Sequence, residues 1–206
     1  MVYTHDLKSC SARIEGSSPS PGTTHMSLFY TRKGDNGYSS VGKKKVPKTC
    51  IEIEALGELD ELNSMIGVLK SQRISPALKS TLHEVQECLF IIQANVAEIM
   101  LKSGFKVPEF KAVKITKAEK LIDDIEKRLD PVKAFVISGS DYVSAQLDLL
   151  RARSRKVERT VLRIEKINEL DKNIKIYLNR LSSLFFALAR QQAKKAGKRE
   201  RNPAYR

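Results

Sequence analysis

The segment Tyr30-Thr-Arg-Lys-Gly-Asp-Asn-Gly-Tyr-Ser-Ser40 places two glycines beside two adjacent cations, Arg32 and Lys33. Glycine lets successive backbone N–H groups converge on an anion, and the cations neutralise its charge. The candidate phosphate contacts are Thr31, Arg32, Lys33, Gly34, Asp35, Gly37, Tyr38 and Ser39, with Lys48 further along. Alone, such a segment also fits an ordinary surface turn. A second group lies in Arg151-Ala-Arg-Ser-Arg-Lys-Val-Glu-Arg159, where Arg151, Arg155 and Glu158 fall at i, i+4 and i+7. That spacing puts them on one helix face, beside the apolar seam. A guanidinium carries a planar fork of donors that matches phosphate oxygens, although a charged helix face laced with Arg–Glu pairs uses the same residues. Asn179 and Ser183 are spaced i, i+4, and Asp60, Asn63 and Gly67 share a face that the spacing alone assigns to solvent. Phe135 opens a short apolar stretch, Ala134 to Ile137, which could be extended; composition alone makes it a core phenylalanine.

These residues need a frame. Leu59, Leu62, Ile66 and Leu69 step by three and four, as do Leu82, Val85, Leu89, Ile92, Val96 and Ile99. Three further stripes run through Ala118, Ile122, Ile125 and Leu129, through Leu147, Leu150, Val157, Val161 and Ile164 with Ser154 in the seam, and through Ile174, Leu178, Leu181, Phe185 and Leu188. Each is the apolar stripe of an amphipathic helix. Breaks fall at Ser75-Pro76, around Gly104 to Pro108, at Asp130-Pro131 and near Asn168 to Asp171. Five long helices with short connections predict an all-α, antiparallel five-helix bundle. The expected organisation is a disordered Ser/Pro/Gly-rich tail over 1–25, a phosphate-binding segment over 26–50, the bundle over 51–196 and a flexible basic tail over 197–206.

Composition narrows the partners. The chain has 206 residues, 41% of them hydrophobic, enough for one core. No apolar run reaches the roughly 20 residues of a membrane span, and no signal-peptide pattern opens the chain. Three scattered cysteines, Cys10, Cys50 and Cys88, predict reduced thiols in a cytoplasm rather than a disulfide frame. Three histidines and no C-x-x-C argue against a His-rich metal site, and no metal ligands are assigned. The net charge of +13 suits an anionic ligand or a solvated basic surface. Aromatics are few and no nucleic-acid motif is visible, so nucleic acid is not the expected partner.

In order and spacing, four blocks resemble the ATP:cob(I)alamin adenosyltransferases of the propanediol-utilisation type. They are the Tyr30 segment, Glu54-Ala-Leu-Gly-Glu-Leu-Asp-Glu-Leu-Asn-Ser64, Phe135-Val-Ile-Ser-Gly-Ser140 with the Arg151 block, and Tyr177-Leu-Asn-Arg-Leu-Ser-Ser-Leu-Phe-Phe186. The resemblance covers residues 28–196. It implies transfer of the 5′-deoxyadenosyl group of ATP to cob(I)alamin, giving adenosylcobalamin and triphosphate, with Mg²⁺ assisting. It implies a homotrimer with sites at subunit boundaries, where Asp60 pairs with Arg151 of a neighbouring chain. It also implies that Arg151, Arg155, Glu158 and Asn179 line the nucleotide site. It implies further that Phe135 lies under the corrin and keeps the lower axial ligand off cobalt. Arg155, Phe135, Asp60 and Arg151 thus become the residues that carry catalysis, and a cobalamin-dependent mutase is an implied recipient of the product.

The chain departs from the family pattern at Lys33 and Glu58, each in place of threonine, at Ser138 and Ser140, at Asp148 in place of histidine, at Lys156 in place of arginine, and at Ser183 in place of aspartate. Two alternatives stay open: a non-catalytic nucleotide- or corrinoid-binding relative, and a basic helical scaffold. A di-iron bundle is disfavoured, because it requires Glu-x-x-His pairs that the sequence lacks.

Overall fold

The computed structural model describes residues 30, 32, 34–42, 44–129, 134–165 and 169–205. The expected N-terminal tail, and Thr31 and Lys33, lie outside them. Five helices carry the fold: α1 (Ile51–Lys70), α2 (Pro76–Leu101), α3 (Val113–Glu126), α4 (Tyr142–Ile164) and α5 (Lys172–Lys195). Each predicted stripe falls on one of them, with Leu129 just past the end of α3. Helix α2 packs on α1, α1 on α4, α4 on α5 and α5 on α3. Ion pairs Arg163–Glu54 and Arg153–Glu61 set α1 and α4 antiparallel.

The stripe residues close one core, in which Leu59, Leu62, Ile66, Leu89, Leu147, Val157, Leu178 and Phe185 have no exposed surface. Each such side chain contributes about 1.5–3 kcal/mol of transfer free energy, so the seam rather than helix propensity holds the bundle. Local signals fix the ends. Ser75 caps α2 through its hydroxyl, with Pro76 in the first turn. Asp141 and Ser144 form a reciprocal box at the start of α4. The Asp171 carboxylate accepts from Asn173 N at 2.7 Å at the start of α5.

Three features differ from the sequence expectation. The segment ahead of α1 contains an antiparallel hairpin, β1 (Tyr38–Val41) and β2 (Lys44–Pro47), with Val41 opposite Lys44. Four-residue strands, one of them opening on two consecutive lysines, carry too little alternation to announce themselves. The hairpin is held by buried Val41 and by Lys44 Nζ donating to the Met100 carbonyl at 2.9 Å, near the C-terminus of α2. Asn63 is buried rather than on an outer face. Its backbone carbonyl accepts from Gln86 Nε2 on α2 at 3.0 Å. The third difference is the C-terminal segment, which is not a free tail. Ile137 N donates to the Arg201 carbonyl at 2.8 Å, and Glu200 pairs with buried Arg190.

Candidate active site

Helices α3, α4 and α5 frame a cleft of about 610 Å³. One wall is Ile122, Glu126 and Leu129, from α3 and the turn after it. The other is Arg151 and Arg155 of α4, and Ser182, Ser183, Phe186 and Arg190 of α5 form the floor. The helical spacing of the arginines therefore does bring two of the predicted residues to one concavity. Glu158 and Asn179 lie further along the same helices, joined by Asn179 Nδ2 donating to Glu158 Oε1 at 3.0 Å. Asn179 Oδ1 in turn accepts from Arg180, whose Nε donates to Glu119 at 2.8 Å.

The cations differ in how they are held. Arg155 is exposed, and no described residue pairs with it. Arg151 is half-buried, with Nε 3.6 Å from the Asp148 carboxylate and its two terminal nitrogens unpartnered among the described residues. Arg190 is 4% exposed and donates to Asp148, which is equally buried. Its guanidinium also stacks 4.8 Å from the centre of the Phe186 ring. Arg190 and Phe186 went unread in the sequence, because an arginine inside an apolar stripe looks like a helix-surface residue. Lys156, which would add charge beside Arg155, is instead drawn back to Glu58 at 2.8 Å. Glu58 also binds Arg153 at 2.7 Å.

The phosphate segment lies elsewhere in the chain. Gly37 takes a φ of +78°, and its N–H donates to the Gly34 carbonyl at 3.2 Å. That N–H is used inside the turn, which corrects the expectation that it faces an anion. The Gly34 N–H has no partner among the described residues, and Lys48 Nζ lies beside Gly34, 3.1 Å from where a Cβ would stand. Arg32 adopts φ +59° with its guanidinium 5.4 Å from the Tyr30 ring centre. Tyr38 and Ser39 belong to β1, Lys45 covers the Tyr38 ring at 4.9 Å, and Asp35 is exposed. Among the described residues no hydrogen bond or ion pair links this segment to Arg151, Arg155, Glu158 or Asn179. Within one chain the predicted residues thus fall into two groups.

Asp60 and Phe135 complete the predicted set. Asp60 is half-buried on α1, and burial pushes its carboxyl above the usual range. It makes no ion pair with a described residue, and Arg151 of the same chain is occupied with Asp148. Phe135 is 78% exposed, which removes the reading of a core phenylalanine. Its carbonyl accepts from Asn202 Nδ2 at 2.8 Å.

A second concavity of about 690 Å³ between α2, α3 and α5 is larger, but holds none of the predicted residues. Its wall alternates Glu84, Glu87 and Glu109 with Lys111, Lys114 and Lys117. Burial raises the Tyr177 phenol well above its ordinary value and raises the Cys88 thiol, so both stay protonated at neutral pH and pack as neutral groups. Mixed charge and inert polar groups make this concavity the weaker candidate.

Known proteins show the same pattern. A family model described as cobalamin adenosyltransferase matches residues 29–192. A corrinoid adenosyltransferase of Citrobacter freundii is 34% identical over 171 residues, covering 80% of this chain and 94% of that protein. The human corrinoid adenosyltransferase is 34% identical over 194 residues, covering 89% and 76%. Two solved structures of variants of a PduO-type ATP:corrinoid adenosyltransferase from Lactobacillus reuteri superpose on the chain. A phenylalanine-to-histidine variant complexed with cobalamin and ATP has TM-score 0.79 at 27% identity, covering 85% of this chain and 96% of that one. An arginine-to-lysine variant complexed with ATP has TM-score 0.75 at 28% identity, covering 84% and 99%.

Proposed function

The chain belongs to the cobalamin adenosyltransferase family, and from that premise we propose how its residues divide the work. The reaction is transfer of the 5′-deoxyadenosyl group of ATP to cob(I)alamin, giving adenosylcobalamin and triphosphate. The cobalt lone pair forms a bond to the 5′ carbon as the carbon–oxygen bond to triphosphate breaks. The reaction asks for no protein base or nucleophile; it asks for alignment and for cations where negative charge accumulates.

One observation carries the residue assignment. In the Lactobacillus reuteri enzyme, the phenylalanine and the arginine varied in the two structures stand twenty positions apart, as do Phe135 and Arg155 here. Arg155 is the exposed, unpaired guanidinium at the cleft, suited to a triphosphate. Arg151, oriented through Nε by Asp148, offers its terminal nitrogens beside it. Glu158 and Asn179 fix one another and serve the nucleoside end. Arg32, the Gly34 N–H and Lys48 supply the second phosphate-binding group, with Thr31, Lys33, Asp35, Tyr38 and Ser39 flanking them. Phe135 projects from the start of the α4 approach and covers the lower face of the corrin. That displaces an axial ligand and eases reduction of Co(II) to Co(I).

The active assembly is a homotrimer, in which the hairpin segment of one chain closes over the α4–α5 face of the next. The division of the predicted residues into two groups and the unpaired, half-buried Asp60 support this, since Arg151 of a neighbouring chain would neutralise it. Mg²⁺ travels with the triphosphate. Among the described residues no three His, Cys, Asp or Glu side chains converge. Mg²⁺ needs only one or two carboxylates beside phosphate oxygens and water. The cytoplasm is the proposed compartment, because Cys50 and Cys88 are free thiols. No described helix is long and apolar enough to cross a membrane. The test is a spectral assay with ATP and chemically reduced cobalamin. Decay of the Co(I) absorption with growth of an alkylcobalamin spectrum is expected, and decay without a Co–C product overturns the reading.

A further inference from the structure

We propose that the C-terminal segment 197–205 is a positioning strut for Phe135, locked by half-buried Glu200 on the buried Asp148–Arg190 pair. The side chain of Phe135 is mostly exposed, so packing does not fix it. Its place is set through the backbone. Among the described residues, the main chain of Phe135 to Ile137 makes two hydrogen bonds, both to this segment: Ile137 N to the Arg201 carbonyl and Asn202 Nδ2 to the Phe135 carbonyl, each 2.8 Å.

The segment is itself held by charge. Gly197, at φ +64°, turns the chain out of α5, with its N–H on the Lys194 carbonyl and Lys198 N on the Ala193 carbonyl. The turn delivers Glu200 to Arg190, with Oε1 2.9 Å from Nε. Nη2 of the same guanidinium donates to Asp148, which also faces Arg151. Two carboxylates and two guanidiniums balance, and removing one member leaves a buried charge uncompensated. Asp148 and Arg190 come from α4 and α5, the most extensively packed pair of helices. A rigid floor therefore sets Glu200, and Glu200 lies one residue from Arg201 and two from Asn202. Arg190 and Arg151 line the cleft, whereas Glu200 and Asn202 do not. Asn202→Ala thus cuts the strut without touching the cleft, whereas Glu200→Ala removes a partner of Arg190 on its floor.

The inference rests on the reading that Phe135 meets the corrin, and the test separates the two. Glu200→Ala, Asn202→Ala, Glu200→Gln and Phe135→Ala are compared with the unaltered chain. Amide exchange at Ile137 reports the strut without corrin, since local opening exposes that N–H. Protection at Ile137 should fall about tenfold in Glu200→Ala and Asn202→Ala, with ATP affinity within about twofold of the parent. Glu200→Gln keeps the shape of the side chain without its charge, so its protection should fall close to that of Glu200→Ala if charge holds the segment. With ATP and Co(II)alamin, the two alanine variants should lose at least half of the four-coordinate Co(II) signal. Unchanged Ile137 protection in both alanine variants overturns the strut. If Phe135→Ala loses the four-coordinate signal while both strut variants keep it in full, the strut has no bearing on the site. If Phe135→Ala keeps the signal, the reading of Phe135 fails instead, and the positioning role falls with it.

Discussion

Replacing Phe135 by alanine separates a ligand-facing phenylalanine from a structural one. A fully buried phenylalanine costs about 3–5 kcal/mol on truncation to alanine. Phe135 is 78% exposed, so only about a fifth of its surface is at stake. A phenylalanine buries roughly 150–250 Å² when enclosed, which leaves about 45 Å² here. At about 25 cal/mol per Å², the truncation costs about 1 kcal/mol. For a chain of this length that corresponds to a fall of about 2–4 °C in melting temperature. ATP affinity should hold, because no phosphate contact is removed. The loss should appear with Co(II)alamin: the visible spectrum with ATP present should show a five-coordinate species where the unaltered protein gives a four-coordinate one. Activity with pre-formed Co(I) should suffer less, since that state holds axial ligands weakly. A fall beyond about 8 °C would place the ring in a core and refute the exposure argument. A variant that keeps the four-coordinate spectrum would refute the lower-face role.

Arg155→Ala should reduce ATP affinity or turnover at least about tenfold while leaving the melting curve nearly unchanged, because the guanidinium has no partner among the described residues. Arg155→Lys should recover only part, since an ammonium lacks the fork; kinetics and calorimetry measure both. For Asp60→Ala and Arg151→Ala, the double variant should show a coupling of roughly 0.5–3 kcal/mol in assembly measured by sedimentation, and simple additivity would mean the two do not meet. Burial is the main cause that raises the Glu200 carboxyl from its ordinary value near 4.5, against the attraction of Arg190 and with help from Asp148 and Asp141. The folded state therefore holds that proton more tightly than the unfolded one. Its contribution to stability is full below about pH 4.5 and is lost as pH rises through the raised value. Denaturant midpoints of the unaltered chain and Glu200→Gln should converge or cross as pH rises from about 4 to 7, and a constant gap would contradict the sign.

The bundle was legible because periodicity reports burial directly. Every apolar stripe returned as a helix, and Ser75-Pro76 marked a helix start by capping chemistry that acts locally. What stayed hidden depends on contacts distant in sequence. The hairpin rests on Lys44 reaching the end of α2, and the tail on Arg190 reaching Glu200 and Phe135 reaching Asn202. Arg151 and Arg155 were readable as a pair because helical spacing alone puts them on one face. The pairing of Lys156 was not readable because its partner, Glu58, lies on another helix.

Two departures from the family pattern gain meaning when taken together. Ser183 removes a negative charge from the cleft floor, and Asp148 puts one beneath it, against Arg190 and Arg151. On a line of sequence these are unrelated losses. In the fold, the carboxylate stands on the buried side of the arginines rather than in the space where a triphosphate would lie. A carboxylate facing the cleft would compete with phosphate for the guanidinium forks. A carboxylate behind them stands 3.6 Å from Arg151 Nε and leaves its terminal nitrogens without a partner among the described residues. The buried cluster need not add stability; its desolvation cost offsets its attraction, as the raised Glu200 carboxyl indicates. Its value is geometric: one guanidinium, Arg190, fixes the floor of the cleft, the orientation of Arg151 through Asp148, and the segment that carries Phe135.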